Sequence, residues 1–134
     1  LAESRQALGL FYRLAPRDLA GYDRDTYFLL ATLYPLADAG GTGNLGAALA
    51  QARTDDSGKG LDRRVEALLD SDRSQLAFRL RQAIRLVQGR GVKIDWTQLL
   101  ADLLEWNLPS RSVQEQWARS YFTQHDTTQN RGKE

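Results

Sequence analysis

The sequence predicts an all-α protein, a compact helical bundle of about seven or more helices in two small lobes. Three observations carry that expectation. Apolar residues recur at three- and four-residue spacing through nearly every segment, and none alternates for long as a half-buried strand does. Asp72, Asp95 and Ser112 each stand before such a segment with Gln75, Gln98 and Glu115 three residues on, the pattern that opens helices. Pro16, Pro35 and two glycine-bearing stretches punctuate the periodic runs.

A first helix is expected over about 2–14, ending before Pro16, and a second over about 23–34, ahead of Pro35. The loop 39–43 follows, and Asn44 caps a short helix over 45–53. The polar segment TDDSGKG, residues 54–60, is the best place for a lobe boundary. The expected organisation is an N-terminal helical lobe over 1–54, a loop over 55–60, a C-terminal helical lobe over 61–123 and a polar tail over 124–134. In the second lobe Asp62 opens a helix to Leu69. Asp72 starts one running to Gln88, where Gly89 and Gly91 stop it. Asp95 starts one to Asn107, and Ser112 one to Phe122. On the 95–107 helix Trp96, Leu99, Leu100, Leu103, Leu104 and Trp106 fall on one side, with Asp102 and Glu105 opposite. Trp96, Trp106 and Trp117 therefore read mainly as core or lobe-interface residues.

Size and composition narrow the function. At 134 residues the chain makes one domain, or two lobes sharing a core, and 42% hydrophobic content is enough to form one. No run of about 18 apolar residues exists, so no membrane helix is expected. The opening LAESRQALGL has no basic start leading into a long apolar run and does not read as a signal peptide. The lack of cysteine excludes disulfides, thiolate metal sites and a cysteine nucleophile, and it suits a reducing cytoplasm. The single histidine, His125, lies in the polar tail, away from any Ser-His-Asp pattern. Asp55–Asp56 and Asp70/Asp72 lack partners for acid–base or metal chemistry. Neither catalytic residues nor a metal, cofactor or small-molecule substrate is expected.

Gly41-Thr42-Gly43-Asn44-Leu45-Gly46 matches the dinucleotide pattern G-x-G-x-x-G by letter. That reading needs a buried strand before the glycines, and FLLATLYPLADA reads as helix broken by Pro35. The loop reads instead as a helix–helix connection whose backbone N–H groups could still meet a phosphate.

The charge pattern points further. The chain has 18 Lys+Arg against 17 Asp+Glu. Yet Arg73, Arg79, Arg81, Arg85, Arg90 and Lys93 occur between Arg73 and Ile94 with no carboxylate among them. Segregated positive charge suits a polyanion, and arginine, which outnumbers lysine 15 to 3, grips phosphate as a flat two-pronged fork. On the 72–88 helix Leu76, Ala77, Leu80, Ala83, Ile84 and Val87 form the buried stripe. Arg81 and Arg85, four apart, project away from it together, and Arg79 lies at the other margin. A structural alternative stays open, in which these arginines pair with Asp102 and Glu105 of the next helix.

Several segments together resemble the CasB family, the small subunit of the type I-E CRISPR Cascade complex. They are Phe11-Tyr12-Arg13-Leu14; Asn44 through Leu49; Leu61-Asp62-Arg63-Arg64 through Leu69; Asp72-Arg73 leading to Leu80-Arg81; Ile94-Asp95-Trp96 with Leu99-Leu100 and Leu103; and Trp117-Ala118-Arg119 with Tyr121-Phe122. Order and spacing over residues 8 to 123 carry the likeness more than any one motif. The resemblance implies a two-lobed helical, non-enzymatic subunit, two copies of which sit side by side in the complex. There they flank the guide RNA–target DNA heteroduplex and hold the displaced single strand of the R-loop. It carries phosphate contacts to Arg24, Arg73, Arg81 and Arg111 by matching position, and to Arg13, which has a structural reading as well. Arg85 joins them from the helical geometry. The implied partners are guide RNA, target DNA and other Cascade subunits. A helical protein-interaction scaffold is the alternative. A helix-turn-helix regulator finds no support, because the Arg90-Gly91-Val92 turn leads into an acidic helix.

Overall fold

A computed structural model describes residues 21–54 and 58–123. The helix expected over 2–14, Arg13, Asp55–Asp56 and the tail with His125 lie outside the described residues. Among those described there are six α-helices, a 3₁₀ turn and a π-helical turn, and no strand. The all-α expectation holds.

Helix α1 spans Gly21–Leu33 and tightens into a 3₁₀ turn at Tyr34–Leu36, where Pro35 has no N–H to continue an α-helix. Helix α2 spans Leu45–Ala52, with the Asn44 Oδ1 accepting from the Ala47 N–H at 2.9 Å. Helix α3 spans Gly58–Leu69 and so starts four residues before Asp62. Asp62 opens nothing because its carboxylate is already engaged. Arg53 grips it with two N–H groups, at 3.0 and 3.2 Å, and the Tyr121 hydroxyl donates to the same Oδ1. Burial first, and then this hydrogen bond, push the Tyr121 hydroxyl well above its ordinary range, so it remains a donor.

Helix α4 spans Arg73–Gly89. The Asp72 Oδ1 accepts from the Gln75 N–H at 3.1 Å, so the expected cap is present. The Gln75 side chain turns to Arg79 instead, accepting at 3.4 Å. Helix α5, Trp96–Leu104, is capped by Asp95 through the Gln98 N–H at 3.1 Å and ends three residues before Asn107. Helix α6 is Ser112–Ala118, followed by the π-helical turn Arg119–Thr123. Its N-cap is Arg111, at φ 53° and without a side-chain cap, rather than Ser112. Glu115 pairs with Arg119 at 3.2 Å instead of reaching back.

One core cluster draws on all six helices and runs across both sides of the 55–60 segment. Leu33, Leu49, Leu68, Leu80, Ile84, Leu103 and Trp117 are among its fully buried side chains. The three tryptophans pack there as expected, Trp106 and Trp117 with ring centroids 5.0 Å apart. Two positions depart from the helical-wheel reading. Ala77 is exposed, because it lies on the arginine side of α4. Asp102 is buried, 5% exposed. Its Oδ2 accepts from the Trp117 indole N–H at 2.8 Å, and its Oδ1 from the Gln98 amide at 2.9 Å. A buried indole N–H needs an acceptor, and that need brings Asp102 inside.

Burial pushes the Asp102 carboxyl above the ordinary aspartate value. The hydrogen bonds from Trp117 and Gln98 pull back, and Glu105 and Asp95 add to the rise. A carboxyl that titrates higher in the fold than in the unfolded chain makes folding stability fall as pH rises through that interval. Asp102→Asn keeps an acceptor for Trp117 and removes the charge. Its stability relative to wild type is therefore expected to improve as pH rises from the ordinary aspartate value and then to level off. Urea unfolding across the acid range measures this, and a difference flat with pH would count against it.

Candidate nucleic-acid interface

Four helical residues advance about 400°, so Arg73, Ala77, Arg81 and Arg85 lie along one slowly turning ridge of α4. Arg73 and Arg81 are half-buried and Arg85 is exposed. The Asp72 cap places this ridge, and the Leu76–Leu80–Ile84–Val87 stripe fixes its outward direction by burying the opposite face.

Between α1 and α4 runs an open groove of about 530 Å³. Asp25, Phe28, Leu29 and Thr32 line one wall, and Ala77, Phe78 and Arg81 the other. Arg24 is exposed on α1 one turn before Phe28. Arg24 does not itself line the groove; it stands one helical turn from Phe28, which does, far in sequence from the Arg81 wall. Another apolar cleft, about 520 Å³, includes Tyr27, Tyr34, Trp96 and Leu100, and among the described residues the charged one lining it is Asp95. Its sign does not suit a polyanion.

Among the described residues no ion pair joins Arg81 or Arg85 to Asp102 or Glu105. Asp102 is occupied by Trp117 and Gln98. Among the described residues neither Arg81 nor Arg85 has a carboxylate within salt-bridge distance. Their charge is left facing solvent.

Two other arginines are used differently. Arg79 Nη1 donates to the Ala67 carbonyl at 2.7 Å and to the Ser71 Oγ at 3.0 Å. Arg111 Nη2 donates to the Leu69 carbonyl at 2.6 Å. Both serve carbonyls in the last turn of α3, which the helix itself leaves without partners. Arg111 lines a separate cleft with Glu66, Asp70 and Glu115, a carboxylate-rich setting away from the α1–α4 groove. Of the expected contacts, then, Arg73, Arg81 and Arg85 share a ridge, Arg24 stands one turn from Phe28, Arg111 stands apart, and Arg13 lies outside the described residues.

Phe78 was not singled out by sequence. The signal was there: it sits about 200° from both Leu76 and Leu80, off the apolar stripe. An aromatic in that position has no core to enter.

The glycine motif serves packing. The Gly41 N–H donates to the Ile94 carbonyl at 3.2 Å, the Ile94 N–H donates to the Asp38 carbonyl at 2.8 Å, and a Cβ at Gly41 would collide with the Lys93 backbone. A Cβ at Gly46 would collide with the Trp117 backbone. The Gly41 N–H is thus already spent on the protein. Among the described residues no group of three metal-ligating side chains converges, and no helix is long and apolar enough to cross a membrane.

A family model described as CRISPR-associated protein Cse2 matches residues 1–122. A CRISPR-associated protein Cse2 of Thermus thermophilus is 43% identical over 111 residues. That alignment covers 81% of this chain and 63% of the relative, less than two thirds of its length. Among solved structures, M. ruber CasB superposes with a TM-score of 0.79 at 27% identity, covering 96% of this chain and 88% of its own. CasB from Thermus thermophilus gives 0.76 at 35% identity, covering 91% and 83%.

The arginine caps and the glycine contacts should read out as stability. Arg79→Ala and Arg111→Ala are each expected to cost about 0.5–1.5 kcal/mol, seen as a lower urea midpoint at unchanged m-value. Gly46→Ala is expected to cost about 1–3 kcal/mol in the same measurement, because the Trp117 backbone must give way.

Proposed function

Since the chain belongs to the CRISPR-associated Cse2 family, we propose that it is a non-catalytic, sequence-independent nucleic-acid-binding subunit of an RNA-guided CRISPR surveillance complex. In this reading it lines the guide RNA–target DNA heteroduplex and steadies the displaced DNA strand of the R-loop. Its partners are those nucleic acids, the other Cascade subunits and a second copy of itself, in the cytoplasm.

One observation supports it most: Arg81 and Arg85 stand on one ridge with no carboxylate paired to either among the described residues. Guanidinium groups in such a row hold phosphate oxygens through charge and paired N–H donors. Nothing in this contact reads a base, so binding is indifferent to sequence. In this reading strand cutting falls to another component.

The magnitudes suit a subunit better than a lone binder. Each phosphate contact steepens the log–log salt dependence by about 0.7–0.9. A few contacts bind weakly in isolation. Inside an assembly, where the local concentration of strand is high, the same contacts suffice.

The scaffold alternative has one observation of its own, the apolar cleft beside Tyr34 and Trp96, which would suit a neighbouring protein segment. It predicts assembly defects and no salt-sensitive affinity for nucleic acid.

Charge reversal at Arg73 and Arg81 separates the two. The doubly reversed protein is expected to assemble normally, to lose R-loop formation and to bind DNA with a shallower salt slope. R-loop formation at the wild-type level would sink the nucleic-acid reading.

A further inference from the structure

Phe78 is the most exposed of the large apolar side chains among the described residues, at 66%. Arg81 follows it by three residues and Arg85 by seven, so all three lie on nearly one azimuth of α4 within about two turns. Ser74, one turn earlier, and Gln82, one turn later, are uncharged. Phe78 also lines the α1–α4 groove beside Phe28 and Arg81. The carboxylate in that groove is Asp25, on the opposite wall.

An aromatic face next to a row of guanidinium groups is the arrangement that holds unpaired nucleic acid: phosphates track the cations and a base stacks on the ring. Within the groove Asp25 disfavours phosphate on the α1 wall and Arg81 attracts it on the α4 wall, with Arg24 outside the lining, which leaves the backbone on the Arg81–Arg85 side and the bases toward Phe78. A duplex keeps its bases stacked within itself and offers this ring no face. We infer that Phe78 is a base-stacking platform, which makes the α4 ridge selective for single-stranded over double-stranded nucleic acid. The inference rests on the nucleic-acid reading above and adds to it a specificity-determining residue.

The test compares wild type with Phe78→Ala, Phe78→Leu and Phe78→Trp, in the purified full chain and in the assembled complex. Three fluorescently labelled probes of one length serve: an oligo-dT strand, an abasic strand with the same phosphates, and a duplex. Phe78→Ala is expected to weaken oligo-dT binding about 5- to 150-fold, the range for loss of one base–aromatic stack. Its salt slope, and its affinity for the abasic strand and the duplex, should match wild type. Phe78→Trp should bind oligo-dT at least as well as wild type, and Phe78→Leu should not restore it. Wild-type oligo-dT affinity in Phe78→Ala would overturn the inference, as would equal weakening on all three probes or rescue by leucine. If Phe78→Ala instead fails to enter the complex while its DNA binding is unchanged, the ring contacts a protein and the inference is likewise overturned. Should charge reversal at Arg73 and Arg81 abolish binding while Phe78→Ala does not, stacking fails alone and the phosphate reading stands. Should wild type show no salt-sensitive binding to any probe in either form, both fail together.

Discussion

The last turn of a helix exposes carbonyls that the helix cannot satisfy, and in this protein that need sorts the arginines. The end of α3 is tied by Arg79 to Ala67, by the Ser71 hydroxyl to the same carbonyl, and by Arg111 to Leu69. The Trp106 indole N–H adds a bond to the Ser71 carbonyl, 3.2 Å away. Chain segments from α4, the α5–α6 connection and the α3–α4 turn thus meet at one helix end. Cations also suit the negative end of the helix dipole. Positive charge spent here is unavailable elsewhere, and the ridge of Arg81 and Arg85 is what the sorting leaves facing outward.

The interior is held by polar contacts that the apolar pattern does not specify. Asp102 joins α5 to α6 through Trp117, and Asp62 joins α2, α3 and the π-helical turn through Arg53 and Tyr121. Leucines set how much surface is buried but leave neighbouring helices free to slide by a turn. A buried hydrogen bond does not tolerate that shift, since an orphaned partner inside costs about 1–3 kcal/mol. These two carboxylates fix which turns of α2, α3, α5 and α6 face each other, and so the frame on which α4 lays its buried stripe.

Much of this was legible in the sequence. The caps at Asn44, Asp72 and Asp95 are local, formed within four residues, and they occur where the pattern placed them. The tryptophans at helical spacing read as core or lobe-interface residues, and all three lie in the core cluster. What could not be read was tertiary. The Asp62 carboxylate, which the sequence offers as a helix start, is engaged by an arginine nine residues away and by a tyrosine 59 residues away. Asp102 looks like a surface residue until Trp117 demands an acceptor. Arg111 and Arg81 are equivalent in a sequence and opposite in use, because one lies beside bare carbonyls and the other beside an aromatic groove. Phe78 was readable from the helical wheel alone, and only its setting among unpaired guanidinium groups gives it a meaning.

The closure of α2 against α6 and the π-helical turn bears on how the protein is made. Gly46 lies against the Trp117 backbone, and the Asn44 amide donates to the Ser120 hydroxyl, 76 residues downstream. On a ribosome adding 5–20 residues per second, α2 waits about 4–15 s for its packing partner to emerge. During that wait Leu45, Ala48 and Leu49, all destined for the core, have no completed surface to cover them. The apolar face of α2 is therefore left uncovered until the segment around Trp117 and Ser120 has been made, and a fragment that stops before it exposes that face.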